Sequence, residues 1–140
     1  VNQSPAVEIW GTGLARREFL FVDDCADGLI HLLKHYSSPE PVNLGSGEEV
    51  TIRQLAKLLA EILGFQGTFI FDQTRPDGTP RKRLDLTRMT RLGWKARMTL
   101  EEGLKQTCDW YLRELSTGRA IESPPERHDK PDSSGCSPRT

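Results

Sequence analysis

The chain has 140 residues, a typical length for one domain with a buried core. Its formal net charge is -1, from 19 Lys and Arg against 20 Asp and Glu, so no global basic field is present to attract nucleic acid. No apolar stretch reaches the roughly 18 residues of a membrane span, and no signal peptide is legible after Val1, so a cytoplasmic location is expected.

The first short alternation of apolar and polar residues, Val7-Glu8-Ile9-Trp10, predicts a strand over 7–10. Residues 17–22, REFLFV, predict a second strand, joined to the first by the glycine-containing segment WGTGLAR. Asp23-Asp24 then opens a helix. An Asp at its N-cap can accept from the free amides of the first turn. Ala26, Leu29, Ile30, Leu33 and Tyr36 recur along it at helical spacing, and Ser37-Ser38-Pro39 ends it. A short strand is expected over 41–44 (PVNL), followed by the turn Gly45-Ser46-Gly47.

Thr51 and Gln54 form a T-x-x-Q capping box for the next helix. Ile52, Leu55, Ala56, Leu59, Ile62 and Leu63 make its apolar face; Arg53, Lys57 and Glu61 are expected to face water, and Gly64 to cap the C-terminus. Residues 68–71 (TFIF) predict a strand. A charged, turn-rich loop follows over 72–85, then a short helix over 86–92 that Asp85 would cap and Gly93 would close. A second capping box, Thr99 with Glu102, starts a helix that carries Leu100, Leu104, Cys108, Tyr111, Leu112 and Leu115. From 116 onward the sequence is polar, with one Ile and no aromatic residue, and a disordered tail over 116–140 is expected.

The mixture of strands and helices sets the class as α/β or α+β. Strands are few for an independent α/β domain, so the amphipathic helices are expected to need a partner sheet. The start at Val1 rather than Met suggests a truncated or processed chain. The three cysteines, Cys25, Cys108 and Cys136, lie far apart without a CxxC, so Cys25 and Cys108 read as small buried apolar residues in a reducing compartment.

Two clusters are candidates for chemistry. The first is WGTGLARREF, residues 10–19. A dinucleotide loop needs G-x-G-x-x-G/A between a strand and a helix, but the third position here is Arg16 and a strand is expected next. Gly45-Ser46-Gly47 fails in the same way at Val50. A plain turn that uses glycine's freedom is one reading. The other rests on Arg16 and Arg17, whose planar guanidinium groups suit bidentate phosphate contacts, with Trp10 nearby for a ring. The second cluster, RPDGTPRKR over 75–83, holds four basic residues and one acid, a local charge of +3. It reads either as a stiffened anion-binding loop or as a solvated turn.

His31 and His35 share a helix face at i, i+4, a spacing open to a metal pair but without the zinc-protease Glu; histidines at a surface or interface are the simpler reading. No Tyr has a Lys four positions later, since Glu40 follows Tyr36 and Leu115 follows Tyr111. No nucleophilic triad is legible either, so no catalytic residue and no metal site is assigned.

Taken in order, the stretches VEIWGTGLARREFLFVDDCADG (7–28), VNLGSGEEVTIRQLA (42–56), FDQTRPDGTPRKRLDLTR (71–88) and LGW (92–94) resemble the GDP-L-fucose synthase family of the extended short-chain dehydrogenases and NAD-dependent epimerase/dehydratases. The resemblance covers about 7–115, leaving residues 1–6 as an N-terminal extension. The motif R-E-F-x-x-V-D-D is common to many nucleotide-sugar enzymes, whereas WGTG with PDGTPRK is specific to the fucose synthase branch. The resemblance implies the C-terminal, substrate-binding part of a Rossmann-type α/β enzyme. NADP(H) and the catalytic Ser, Tyr, Lys, Cys and His would lie in an N-terminal Rossmann domain outside this chain, and the full enzyme would be a possible homodimer. The whole enzyme would convert GDP-4-dehydro-6-deoxy-D-mannose to GDP-L-fucose by 3,5-epimerisation and reduction, a reaction this chain alone would not perform. By the same resemblance, Trp10 and Arg17 contact the GDP part of a sugar-nucleotide substrate, while Asp77 and Lys82 belong to a second substrate loop. Arg16, Arg81 and Arg83 are lesser candidates. Another nucleotide-sugar epimerase or dehydratase, or a binding module without catalysis, remain the alternatives.

Overall fold

The structure, a computed structural model, describes residues 6–117. In chain order its elements are β1 (Ala6–Trp10), β2 (Arg16–Glu18), α1 (Val22–His35), β3 (Glu49–Thr51), α2 (Ile52–Leu63), β4 (Thr68–Asp72), α3 (Thr87–Arg91) and α4 (Leu100–Ser116). The expected tail over 116–140 lies outside the described residues, apart from Ser116, which ends α4, and Thr117, which caps it.

Local sequence signals account well for α2 and α4. Thr51 accepts from the Gln54 amide, and the Gln54 side chain accepts from the Thr51 amide, so both halves of the α2 capping box are formed. Gly64 ends α2 in the left-handed region with φ 63°. Thr99 and Glu102 repeat the box on α4. Each cap satisfies amides that helix geometry leaves free, a contribution of about 1 kcal/mol. α3 is shorter than the expected 86–92 and its N-cap is Leu86, without a side-chain cap; Asp85 stands one residue before it, where its Oδ1 accepts from the Thr87 amide at 2.9 Å.

The strands pair differently from a simple reading of the sequence. β1 and β2 are not a hairpin. β1 pairs in parallel with β4, from Ala6 opposite Thr68 to Trp10 opposite Asp72. β2 pairs antiparallel with β3, with Arg17 opposite Val50. The glycine segment therefore carries the chain from one two-stranded sheet to the other. The predicted strand over 17–22 stops at Glu18, because β3 offers only three partners. Its aromatic remainder packs instead: Phe21 lies against the buried Gly103 of α4, where a side chain would have met the Phe21 ring at 3.1 Å. The predicted strand over 41–44 is absent, since no ladder partner for it exists among the described residues.

The helix expected at Asp23-Asp24 begins one residue earlier, and its N-cap, Phe21, makes no side-chain cap. Asp24 acts elsewhere. It is buried, and its Oδ2 accepts from the amides of Arg97 and Met98 at 3.0 and 2.8 Å, fastening α1 to the segment before α4. Trp94 adds a second tie by donating from Nε1 to Asp27 at 2.8 Å. The expected buried cysteines are only half-buried.

The core is small. Ala15, Met89 and Trp94 are the buried apolar residues among those described. Val22, Leu29, Ile30 and Leu33 of α1 stay exposed, Leu33 at 85%. On α4, Trp110, Tyr111, Leu112 and Leu115 are exposed as well. Apolar surface concentrated on helix faces in this way marks surface suited to a partner.

Candidate substrate-binding site

The two basic clusters, 65 residues apart in sequence at Thr12 and Asp77, meet in space. The Thr12 amide donates to Asp77 Oδ1 at 2.6 Å, and the Thr12 hydroxyl donates to Oδ2 at 2.7 Å. These bonds, above all that from the hydroxyl, hold the Asp77 carboxyl below its ordinary pKa. A second junction lies four residues on. The Arg16 amide donates to the Pro80 carbonyl at 2.8 Å, and the Lys82 amide donates to the Arg16 carbonyl at 3.3 Å, forming an isolated parallel bridge between Arg16 and Arg81.

The glycines make this approach possible. Gly11 and Gly13 have φ 80° and 72°, a region that side chains disfavour. A Cβ on Gly11 would overlap Asp77 Oδ1, and one on Gly13 would overlap the Phe71 ring. The space beside the glycines is thus filled by protein, and β2 follows the turn where a dinucleotide loop would need a helix. These residues do not have the arrangement of a dinucleotide loop.

Each predicted site residue has a definite place. Arg17 is half-buried, and its Nη1 donates to the Arg16 carbonyl at 2.6 Å. Its Nη2 lies beside Gly78, where a Cβ would stand 3.8 Å away, so the guanidinium reaches across to the second loop. The Lys82 amide donates to the same Arg16 carbonyl that the Arg17 guanidinium reaches, so the Lys82 backbone stands beside that guanidinium. The Lys82 ammonium has no hydrogen bond or ion pair among the described residues. Trp10 is 64% exposed at the end of β1, and its ring contact is with Arg75, whose guanidinium lies 5.0 Å from the centroid. Arg75 also pairs with Asp72, 3.7 Å away. Asp77 has both oxygens engaged by Thr12, a junction role that its turn context did not disclose.

Among the lesser candidates, Arg81 is occupied. It forms a forked pair with Glu49, with Nε at 2.8 and 3.0 Å from the two carboxylate oxygens, and the Arg81 bond lowers the Glu49 pKa. Arg16 and Arg83 are exposed and make no contact ion pair among the described residues, though the charge of each also helps lower the Glu49 pKa. The motif R-E-F-x-x-V-D-D thus divides. Glu18 accepts from the Gly47 and Leu84 amides at 2.8 and 3.3 Å, Asp24 braces α1, and Arg17 is the member turned to the loop junction.

Arg53 was not legible as part of this region. Its Nη2 donates to the Thr12 carbonyl at 2.8 Å, and its guanidinium lies 3.7 Å from the Phe71 ring centroid. Helical periodicity placed it on a solvent face, and its partners, the glycine turn and the Phe71 ring, come from segments distant in sequence. The histidine pair is structural: a His31 ring nitrogen contacts the Leu92 carbonyl at 2.8 Å, and the His31 and His35 rings lie 4.5 Å apart. No cluster of three metal-ligating side chains occurs among the described residues, and no helix among them is long and apolar enough to cross a membrane.

Comparison with known proteins places this geometry. Residues 1–45 match the model of the NAD dependent epimerase/dehydratase family. The chain is 52% identical over 115 residues to GDP-L-fucose synthase 1 of Arabidopsis thaliana, covering 82% of this chain and 36% of that protein. Among solved structures it resembles a GDP-L-fucose synthetase from Naegleria fowleri bound to NADP, with TM-score 0.75 and 29% identity over 81% of this chain and 36% of the other. It also resembles the UDP-glucose 4-epimerase of Thermotoga maritima with UDP-glucose, with TM-score 0.72 and 32% identity over 79% and 36%. The chain has the α/β fold of part of these enzymes and spans about a third of the length of the curated relatives it matches.

Proposed function

We propose that this chain, a homologue of part of the GDP-L-fucose synthases, is the region that holds the sugar-nucleotide substrate. The observation that carries the reading is the joining of the two basic loops through Thr12 and Asp77 and through Arg16 and Arg81. It brings the Arg17 guanidinium and the Lys82 backbone to one carbonyl, that of Arg16, and neither the Arg17 nor the Lys82 cation has a carboxylate partner among the described residues. A diphosphate carries the opposite charge and accepts charge-assisted bonds from both. Trp10, exposed and stacked on one side by Arg75, offers its other surface to a ring or ribose.

In this reading the chain contributes orientation rather than chemistry. Binding energy from the nucleotide, remote from the sugar, would hold the reacting carbons in place. The 3,5-epimerisation and the NADPH-dependent reduction of GDP-4-dehydro-6-deoxy-D-mannose would draw their catalytic groups and cofactor from a Rossmann domain outside this sequence. The exposed faces of α1 and α4 supply apolar surface for that domain to cover.

A second reading, another nucleotide-sugar enzyme, is favoured by the likeness to a UDP-glucose 4-epimerase. Calorimetric titration of the polypeptide with GDP, UDP, dTDP and phosphate-free guanosine separates the two. The fucose synthase reading expects GDP to bind tightest and guanosine to bind far more weakly. Tighter binding of UDP or dTDP supports the second reading, and equal affinity for guanosine and GDP contradicts both.

A further inference from the structure

We propose that Arg53 is a positioning residue of this site, fixing the spacing between Trp10 and Arg17 without touching the ligand. The proposal rests on the sugar-nucleotide reading above and deepens it. Thr12 stands in the turn between Trp10 and Arg17, and all its polar groups are used inside the protein. Its amide and hydroxyl go to Asp77, and its carbonyl goes to Arg53 Nη2 at 2.8 Å. Arg53 is itself immobilised, because its guanidinium lies on the Phe71 ring. The start of α2 holds the same turn through its backbone. The Arg53 amide donates to the Gly13 carbonyl at 2.9 Å, and the Ile52 amide donates to the Ala15 carbonyl at 3.1 Å.

These three bonds from α2 use the free amides of a helix start and a stacked guanidinium to set the shape of residues 12–15. A ligand that engages Trp10 at one end and Arg17 at the other gains from both only if their separation is preset. A ligand that engages one end alone gains nothing from the spacing. Arg53 would therefore act on GDP and not on its halves.

The test is titration of wild type, Arg53→Ala, Arg53→Lys and Arg17→Ala with GDP, guanosine and pyrophosphate, with circular dichroism to confirm folding. Arg53→Ala is expected to weaken GDP about tenfold and to leave guanosine and pyrophosphate within about twofold. Arg53→Lys keeps the charge but loses the planar fork, so it should behave like Arg53→Ala; it also serves if the alanine variant does not fold. Equal weakening of all three ligands would assign Arg53 a general structural or electrostatic role and overturn the proposal. Unchanged GDP affinity in both Arg53 variants, with Arg17→Ala weakened, overturns this proposal alone. No GDP binding by the wild type, or none lost in Arg17→Ala, overturns the underlying reading as well.

Discussion

The loop junction and the helix faces are held by different physics. At the junction, residues 73–85 are exposed, as are Trp10, Leu14 and Arg16 of the facing segment, yet the backbone is fixed by polar bonds of defined geometry: Thr12 to Asp77, Arg16 to Pro80 and Lys82, and Glu18 to Leu84. On α1 and α4 the local helix signals are satisfied, but Leu33 and Trp110 remain exposed at 85% and 52%. The junction carries its constraints within this chain. The helices carry local order, with apolar surface left over for something else to bury. A substitution at the junction should therefore alter nucleotide affinity, while one on the helix faces should alter only stability or association.

The largest effect expected is from Gly11→Ala. The new Cβ would overlap Asp77 Oδ1 and force a residue at φ 80°. Strain and overpacking together should destabilise the fold by about 2–4 kcal/mol, measured by chemical denaturation, and GDP affinity should fall with them. Thr99→Ala removes the capping box of α4 and should cost about 1 kcal/mol by the same measurement, without changing GDP affinity in the folded fraction. If affinity does change, the two regions are not independent.

Acid should act on the junction. The Asp77 pKa is lowered by its bonds from Thr12, so its contribution is present above the ordinary carboxylate range and is lost as pH falls through the depressed value. Thermal melts from pH 7 downward should show a loss of stability below about pH 4 that is smaller in Asp77→Asn. Glu49 and Glu102 are shifted in the same direction, by Arg81 and by Thr99, so a residual acid dependence should persist in that variant. The smallest effect is expected from Leu33→Ser, within about 0.5 kcal/mol for this chain, because the side chain is already in solvent. The same change should weaken association with a covering partner, which analytical ultracentrifugation against a separately expressed Rossmann domain would read.

How much of this was legible follows the range of each interaction. Thr51 with Gln54 and Thr99 with Glu102 act over three residues, and both capping boxes formed as their spacing predicts. Strand pairing is non-local. The parallel partnership of β1 with β4 carries no local signature, and the sequence showed only two strands joined by a glycine-containing segment. Residues 41–44 have strand composition but no partner, and composition alone does not make a ladder. At the site, Arg16, Arg17 and the 75–83 cluster stood out as basic residues in turn-rich stretches with Trp10 nearby, and the family resemblance singled out Trp10, Arg17, Asp77 and Lys82 among them. The dependence of Asp77 on Thr12, and that of Thr12 on Arg53, became visible only when chain segments 41 and 65 residues apart were brought together.

The central claim is that the joined loops form one diphosphate-binding site. Calorimetric titration of GDP into wild type, Arg17→Ala, Lys82→Ala and the double variant tests it directly. Loss of a charge-assisted bond is worth about 1.5–3 kcal/mol, so each single variant should weaken GDP roughly 10–100-fold while guanosine is unaffected. Unchanged GDP affinity in either single variant, or an equal loss toward guanosine, would contradict the account.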